Sequence, residues 1–188
     1  MPLTTKLRAV SVTGIWAFAV YSFYTYLGSG LEDVAGLSPG VVAVALVVYG
    51  LGAVVGSLGG GGLADRCGAE RVVVTGLVSL AVALVVVDLL VHAPAWLLLA
   101  SLGLFALTAY PCLPAHQSRL VAAFPTESGS VLAWNSSCMY LGTSIGSAVG
   151  GALLSSVGFR WIPVAGAGAA LVGAVVHHRW SPPAPPDH

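Results

Sequence analysis

Long apolar runs separated by short polar turns dominate the chain. Six of these runs are continuously apolar and close to the length that a helix needs to cross the hydrocarbon core of a bilayer, roughly 20 residues. Such runs predict helices, since a transmembrane strand would alternate apolar and polar positions. A helix in lipid also satisfies its own backbone hydrogen bonds. The expected spans cover residues 7–27, 41–60, 72–91, 95–115, 130–155 and 161–176.

The composition agrees with this pattern. Only 7% of the residues are charged and 57% are hydrophobic, and the mean hydropathy is +0.92, whereas soluble domains carry about 25% charged residues. The sequence therefore predicts an all-α integral membrane protein with six transmembrane helices, in contact with membrane lipid. Its net charge of zero gives no argument for a nucleic acid partner.

The basic residues predict the orientation of these spans. With six spans, both chain ends lie on one side, and that side collects all but one of the arginines and lysines: Lys6, Arg8, Arg66, Arg71, Arg119 and Arg179. Only Arg160 falls on the other side. Because cytoplasmic loops are enriched in Lys and Arg, we expect both termini in the cytoplasm and the protein in the cell (inner or plasma) membrane. The Pro-rich segment 181–188 is expected to form a disordered cytoplasmic tail.

A charged, glycine-bounded turn follows the second span. Gly68 permits a backbone turn that most residues do not adopt, Asp65 can lie near a positive helix N-terminus, and Arg66 can bind a carboxylate or a lipid phosphate. The stretch resembles the signature loop of the major facilitator superfamily, G-x-L-A-D-R-x-G-[RK]-[RK], at Gly61, Leu63, Asp65, Arg66 and Gly68.

The end of this loop departs from the family pattern. Ala69 and Glu70 occupy the two basic positions of the family, and a basic residue returns one place later as Arg71. The loop is thus a weakened form of the motif. A solvated charged turn without a gating role remains the alternative interpretation.

A second resemblance covers more of the chain. Its segments are 114–120 (PAHQSRL), 124–125, 135–137 (NSS), 141–146 and 150–151. In this order they are similar to the tenth and eleventh helices of bacterial drug/proton antiporters of the superfamily, close to the sugar- and arabinose-efflux branch. The first span resembles the seventh helix of that group. First halves of such antiporters normally carry an arginine within the fourth span and a Gly-Pro pair in the fifth. This chain has neither, so the resemblance implies a C-terminal six-helix half.

The resemblance implies transport. Facilitators have two six-helix halves with the substrate site between them, and this group implies proton-coupled efflux of a small organic solute by alternating access. Three assemblies remain open. The chain could pair with itself as a homodimer about an axis along the membrane normal, bring Asp65 of one copy close to 128–130 of the other, and so complete the architecture. It could assemble with a separate first half, or be a non-transporting remnant or accessory module.

Ionisable groups inside a membrane are costly, about 2.5–3.5 kcal/mol on insertion scales, and are functional candidates. Asp88 is the only acid within a predicted span; it is either a proton carrier or a rim residue paired with His92. His116 can also titrate near neutral pH. It is either a second proton-coupling candidate or a membrane-surface residue, because its helical spacing from Arg119 predicts a segment along the membrane surface.

Uncharged polar and aromatic residues are the candidates for contact with the solute. Tyrosine and tryptophan offer stacking faces and hydrogen-bonding groups to an amphipathic molecule, although ordinary helix–helix contact is the alternative role for each. The candidates for the substrate cavity are Trp16, Tyr24, Tyr110, Asn135, Ser136 and Tyr140. The sequence contains no nucleophile–base set, metal-ligand cluster or phosphate-binding loop, so we expect neither an enzyme nor a metal or cofactor.

Glycines repeat every four residues in two spans. Residues at this spacing share one helix face, and small residues let two helix backbones approach closely in lipid. The faces are formed by Gly52, Gly56 and Gly60 in the second span and by Gly142, Gly146 and Gly150 in the fifth. They predict tight helix packing, or alternatively faces that slide during transport.

Overall fold

The computed structural model describes residues 3–179, and this range is helical without strands. The helices are α1 (Leu3–Tyr24), α2 (Leu27–Ser29), α3 (Pro39–Cys67), α4 (Ala69–Leu89), α5 (Ala95–Ala109), α6 (Cys112–Ala123), α7 (Ser128–Ser156) and α8 (Trp161–Arg179). A π-helical turn, Gly30–Val34, follows α2. The Pro-rich segment that was predicted to be a disordered tail lies outside the described residues.

The helices form six units long and apolar enough to cross a membrane: Leu3–Val34, Pro39–Cys67, Ala69–Leu89, Ala95–Ala123, Ser128–Ser156 and Trp161–Arg179. The prediction of an all-α membrane protein with six spans is therefore confirmed. The ends of the described chain share one side of the bundle with the turn at Gly68 and the turn before α7; we call this the terminal side. The connections before α3, α5 and α8 form the loop side.

The packing order places α4 and α8 at the back of the bundle and α3 and α7 at its flanks. α4 packs against α8 and α5, α1 packs against α8 and α7, and α3 packs against α5 and α6. The core between them is filled by large apolar side chains, among them Phe23, Phe105, Leu77, Leu80 and Leu84. α3 and α7 are the least enclosed spans. One face of the bundle is therefore formed by α1, α3, α5, α6 and α7.

Two glycine seams bring helix backbones into contact. In the α1–α7 seam, a Cβ added at Gly146 or Gly150 would lie 2.7 Å from the Phe18 carbonyl oxygen or 2.5 Å from that of Ser22, and one at Gly142 would overlap the backbone of Gly14. The α3–α5/α6 seam is built alike. Here the added Cβ atoms at Gly52, Gly56 and Gly60 would lie 2.5, 2.8 and 2.6 Å from the carbonyl oxygens of Gly103, Leu107 and Pro111.

The turn after the second span is shorter than the sequence suggests. The prediction ended this span at Gly60, but α3 continues to Cys67, and the break between α3 and α4 is the single residue Gly68, with φ +86°. The four consecutive glycines do not end the helix. The packing of Gly56 and Gly60 against the segment that joins α5 and α6 outweighs the weak helix propensity of glycine. Most of the signature loop is therefore helix.

The fourth span contains a break and does not turn onto the membrane surface. α5 ends at Ala109 and α6 starts at Cys112, with Pro111 between them. α6 then packs inward against α4 and α3, and its residues Ala115, His116 and Leu120 are buried. The prediction of a surface-lying segment around His116 is thus wrong. The apolar side of α6 finds neighbouring helices, which cover it better than the membrane surface would.

Candidate functional site

A groove of about 330 Å³ lies near the middle of the helices, on the face formed by α1, α3, α5, α6 and α7, which we call the open face. It is lined by Trp16, Tyr21, Ser57, Tyr110, Leu113, Pro114, Gln117 and Met139. These residues come from α1, α3, the α5–α6 segment and α7. The groove is thus an open surface of the bundle, with α4 and α8 behind it.

An aromatic cluster extends from the groove residues Trp16 and Tyr110 to Tyr49 and Tyr24, which lie outside the groove lining. Trp16 and Tyr110 meet edge to face with ring centroids 5.3 Å apart. The hydroxyls of Tyr110 and Tyr49 are 3.0 Å apart, and Tyr49 stacks on Tyr24 at 4.8 Å. The cluster therefore joins α1, α3 and the α5–α6 break. Trp16 and Tyr49 are buried within it, so Tyr21 and Tyr110 are the tyrosines of the groove lining that offer an accessible face to a solute.

The break between α5 and α6 positions Trp16. The Leu113 N–H donates to the Tyr110 carbonyl, so the Ala109 carbonyl loses its usual helical donor. The Trp16 indole N–H supplies a replacement, with Nε1 3.0 Å from the Ala109 oxygen. A buried carbonyl without a donor is costly, and this bond therefore fixes both the indole and the broken helix.

The groove is mostly apolar and carries a few uncharged polar groups. Among the described residues that line it, the polar groups are the hydroxyls of Tyr21, Ser57 and Tyr110 and the amide of Gln117, and none is Lys, Arg, Asp or Glu. Such a surface suits an amphipathic organic molecule, and its aromatic faces also attract organic cations. These groups can bind a solute, and they have no arrangement for covalent chemistry.

The structure brings together three of the predicted cavity residues and separates the others. Trp16, Tyr24 and Tyr110 belong to the aromatic cluster; Trp16 and Tyr110 line the groove, and Tyr24 lies outside its lining, stacked on Tyr49. Asn135 is buried, 1% exposed, and lies outside the groove lining. Ser136 and Tyr140 are exposed on α7; Ser136 donates to its own helix at Leu132, and Tyr140 is 67% exposed.

Sequence reasoning missed Tyr49, Ser57, Tyr21 and Gln117. Tyr49 carries a usable signal, because it lies seven residues before Gly56 and so shares the face of the glycines in α3. That face packs on the α5–α6 break, where the groove lies. Gln117 gives no comparable signal, since its position depends on how the break turns α6.

The two proton-coupling candidates lie away from the groove. Asp88 is near the loop side, where its Oδ2 is 3.7 Å from Nε of Arg160. The predicted pairing with His92 is therefore wrong, because the carboxylate points toward the start of α8. His116 is 2% exposed, and its Nε2 lies 3.0 Å from the Ala9 carbonyl oxygen. It is a core residue of the terminal side.

The signature residues lie at the terminal end of α3 and α4. Gly61, Leu63, Asp65 and Arg66 occupy the last two turns of α3, and Arg71 the first turn of α4. Asp65 and Arg66 are exposed and form no ion pair within residues 3–179. Their charges are thus available on the surface beside the open face.

A family model described as "Major Facilitator Superfamily" matches residues 9–188. Over 170 residues, the chain is 26% identical to "Uncharacterized MFS-type transporter YbcL" of Bacillus subtilis (strain 168), with 89% of the chain and 43% of that protein covered. It is 30% identical over 164 residues to "Inner membrane transport protein YdhP" of Escherichia coli O157:H7, covering 86% of the chain and 41% of that protein.

A third relative, "Uncharacterized MFS-type transporter YtbD" of Bacillus subtilis (strain 168), is 29% identical over 175 residues, which cover 90% of the chain and 43% of that protein. The chain thus spans less than half the length of these curated relatives. The match over nearly the whole chain, six membrane-spanning helices and the signature residues lead to one conclusion. The chain belongs to the major facilitator superfamily.

Proposed function

We propose that this chain forms one wall of a solute pathway and takes part in proton-coupled efflux of a small amphipathic organic molecule by alternating access. The observation that carries the proposal is the uncharged aromatic groove at mid-depth of the bundle, lined from four spans. Membership in a transporter family supports the same role. The coupling to protons and the outward direction rest on the resemblance to drug/proton antiporters.

The groove needs a second six-helix unit to become a cavity. It is open on the face where α3 and α7 are least enclosed, and facilitator sites lie between two such units. We propose a second copy of this chain, or a separate first half, as that unit. In either assembly the chain lies in the cell membrane with both termini in the cytoplasm.

The homodimer makes a geometric prediction. Asp65 and Ser130 are both exposed on the terminal side, and a twofold axis along the membrane normal would bring Asp65 of one copy close to Ser130 of the other. Copies carrying Asp65→Cys and Ser130→Cys should form a disulfide across the dimer. The absence of this cross-link in a demonstrated dimer would exclude the proposed docking. If the chain is a monomer in membranes, assembly with a separate first half is favoured.

Transport is tested with the purified chain in proteoliposomes that carry a pH gradient and are supplied with ethidium. Tyr21→Ala removes an aromatic face that lines the groove. Because an aromatic pair is worth about 0.5–1.5 kcal/mol, we expect a roughly two- to tenfold loss of affinity for ethidium. Trp96→Ala removes an aromatic residue of α5 that is 69% exposed and lies outside the groove lining, and should leave transport unchanged.

A chain that moves no organic solute, alone or with a first half, would contradict the proposal. The same would hold if Tyr21→Ala and Trp96→Ala had equal effects. The alternative, a non-transporting membrane module, would then be the better interpretation.

A further inference from the structure

Two buried histidines meet on the terminal side. His116 of α6 and His177 of α8 are 2% and 0% exposed, and their rings meet edge to face with centroids 5.5 Å apart. Imidazole is the side chain whose charge changes most readily near neutral pH. Buried imidazoles are costly to charge. A pair of them in a protein core therefore has a protonation state that depends on the surrounding structure.

An arginine joins this pair to a third helix. Nη1 of Arg119 lies 3.1 Å from Nε2 of His177 and 3.4 Å from Oε2 of Glu70 at the start of α4. We call His116, His177, Arg119 and Glu70 the histidine cluster. Since Nε2 of His116 also lies 3.0 Å from the Ala9 carbonyl oxygen, the cluster ties α6 to α1, α4 and α8.

Burial and the neighbouring Arg119 guanidinium disfavour a charge on the pair while the cluster is closed. A proton on either imidazole would add a positive charge beside the Arg119 guanidinium, and like charges disfavour each other. Within residues 3–179, the titratable groups near the pair include the second imidazole, His178 on α8, Glu70 beyond Arg119, and the Cys112 thiol next to His116. Lys6 of α1 is held by Glu127 ahead of α7.

α6 connects the cluster to the groove. Leu113, Pro114 and Gln117 of this helix line the groove, while its His116 and Arg119 belong to the cluster. A void of about 10 Å³, room for about one water molecule, lies beside His116 and is also lined by Trp16 and Leu113 of the groove. The break at Pro111 separates α6 from α5. A displacement of α6 would thus change the groove.

We propose that His116 and His177 form a proton-binding site of the transporter, at which uptake of a proton releases α6 from α8 and alters the groove. A ligand shifts a conformational equilibrium only by binding one state more tightly. The proton binds more tightly when the imidazoles are separated from Arg119. A fall in pH therefore favours the released state, and a rise in pH favours the closed cluster. This proposal rests on the proposed transport function and names its coupling site.

The test follows the position of α6 by fluorescence. The full chain, with Cys67→Ser, Cys112→Ala and Cys138→Ser, carries a polarity-sensitive bimane label at Gln117→Cys in the groove and is placed in nanodiscs. Lowering the pH from about 8 to about 5.5, across the range of histidine titration, should shift the bimane emission to longer wavelength as water reaches the label.

The neighbouring histidine provides a matched control. His177→Gln should abolish the emission shift, and His116→Gln should do the same. His178→Gln changes an exposed histidine one position later and should keep it. Arg119→Gln removes the repelling guanidinium and should move the transition to higher pH. Two independent histidine variants keep the test valid if one of them fails to fold.

A parent protein whose emission does not respond to pH would overturn the proposal. Retention of the shift in both His116→Gln and His177→Gln would also overturn it, as would its loss in His178→Gln. If neither variant folds, ¹⁵N-histidine NMR of the unaltered chain decides: two histidines that titrate together with the bimane shift support the site, and independent titration overturns it.

The readout needs no transported solute. Ethidium transport without an emission response would therefore remove the coupling site and leave the proposed function intact. An emission response in a chain that moves no solute would support the proton site and contradict the proposed function.

Discussion

The two glycine seams of the bundle look alike along the sequence but join different kinds of helix. In the α1–α7 seam, both backbones are unbroken over the region of contact. In the α3–α5/α6 seam, the partner is interrupted at Tyr110–Pro111, next to the groove. Close backbone contact therefore fixes one pair of helices, and in the other it leaves a point of bending.

The polar contacts of the seams differ in the same sense. The hydroxyls of Thr25 and Ser147 are 2.8 Å apart, and the Tyr26 hydroxyl donates to the Ser147 carbonyl at 2.8 Å. Lys6 pairs with Glu127 at the other end of α1. The second seam is joined instead through the hydroxyls of Tyr49 and of the groove residue Tyr110. We infer that α1 and α7 move as one body and that the groove changes shape on the side of α3 and α6.

The largest expected effect is at Gly142, where an added Cβ would overlap the backbone of Gly14. Backbone atoms cannot move as a flexible side chain can, so Gly142→Ala should cost at least about 1–3 kcal/mol of stability. A lowered midpoint of thermal unfolding in detergent would show it. Gly168→Ala on α8, where a Cβ meets nothing within 4 Å, should not destabilise. Equal midpoints for the two variants would show that the α1–α7 seam is loose.

A smaller effect is expected at Gly56. An added Cβ would lie 2.8 Å from the Leu107 carbonyl oxygen, but the break after α5 allows this segment to shift. Gly56→Ala should therefore cost less than Gly142→Ala, about 1 kcal/mol, in the same unfolding measurement. Gly59→Ala, in open space three residues later, is the control. A loss at Gly56 as large as that at Gly142 would argue against a bendable seam.

The hydrogen bond between Ser147 and Thr25 should contribute less again. Ser147→Ala removes one hydroxyl pair while the Tyr26 bond to the Ser147 backbone remains. Because the pair is exposed, we expect a loss of about 0.5 kcal/mol, the lower end for a hydrogen bond. Ser155→Ala is the matched control on α7, because its hydroxyl donates only within its own helix, to Ala152. The account predicts a lower unfolding midpoint for Ser147→Ala alone. A similar loss in both variants would show that the hydrogen bond between Thr25 and Ser147 does not stabilise the seam.

The smallest effect is the pH dependence of the ion pair at the terminal end. The Lys6 ammonium donates to Glu127 and holds the pKa of that carboxyl below its ordinary value. A lowered folded-state pKa stabilises the protein above the ordinary glutamate value, and this contribution is lost as the pH falls through the lowered value. Because Glu127 is exposed, the change should be slight.

Glu127→Gln should thus flatten the acid side of the curve of unfolding midpoint against pH. The control is Glu32→Gln, which changes an exposed carboxylate without an ion pair within residues 3–179. A curve for Glu127→Gln that matches the unaltered chain at every pH would show that the pair contributes nothing.

The helices could be predicted from the sequence, but only part of the candidate site could. Continuous apolar runs are long enough to define six spans, since lipid allows helices and little else. The end of α3 was missed because the packing of Gly60 against Pro111 sustains the helix through four glycines, and such packing cannot be derived from propensity. The burial of His116 was not predicted, because it depends on the direction in which α6 leaves the break. The helical spacing alone also allowed a surface position.

The aromatic cluster shows the same limit. Trp16, Tyr24 and Tyr110 were selected from residue type, while Tyr49 was overlooked although it links Tyr24 to Tyr110. Contacts between residues 61 positions apart follow from the arrangement of helices, which a single sequence does not encode locally. His177 was missed for this reason too, because its partner His116 lies in another span.

The central claim is that the groove, once covered by a second six-helix unit in the membrane, is part of a water-filled cavity and not a lipid-facing surface. In the background with Cys67→Ser, Cys112→Ala and Cys138→Ser, Ser57→Cys places a thiol in the groove, and Leu171→Cys places one on the outer face of α8, where Leu171 is 50% exposed. The reactive thiolate forms in water and not in lipid. The account predicts that a membrane-impermeant thiol reagent modifies Ser57→Cys many times faster than Leu171→Cys; equally slow modification of both would contradict it.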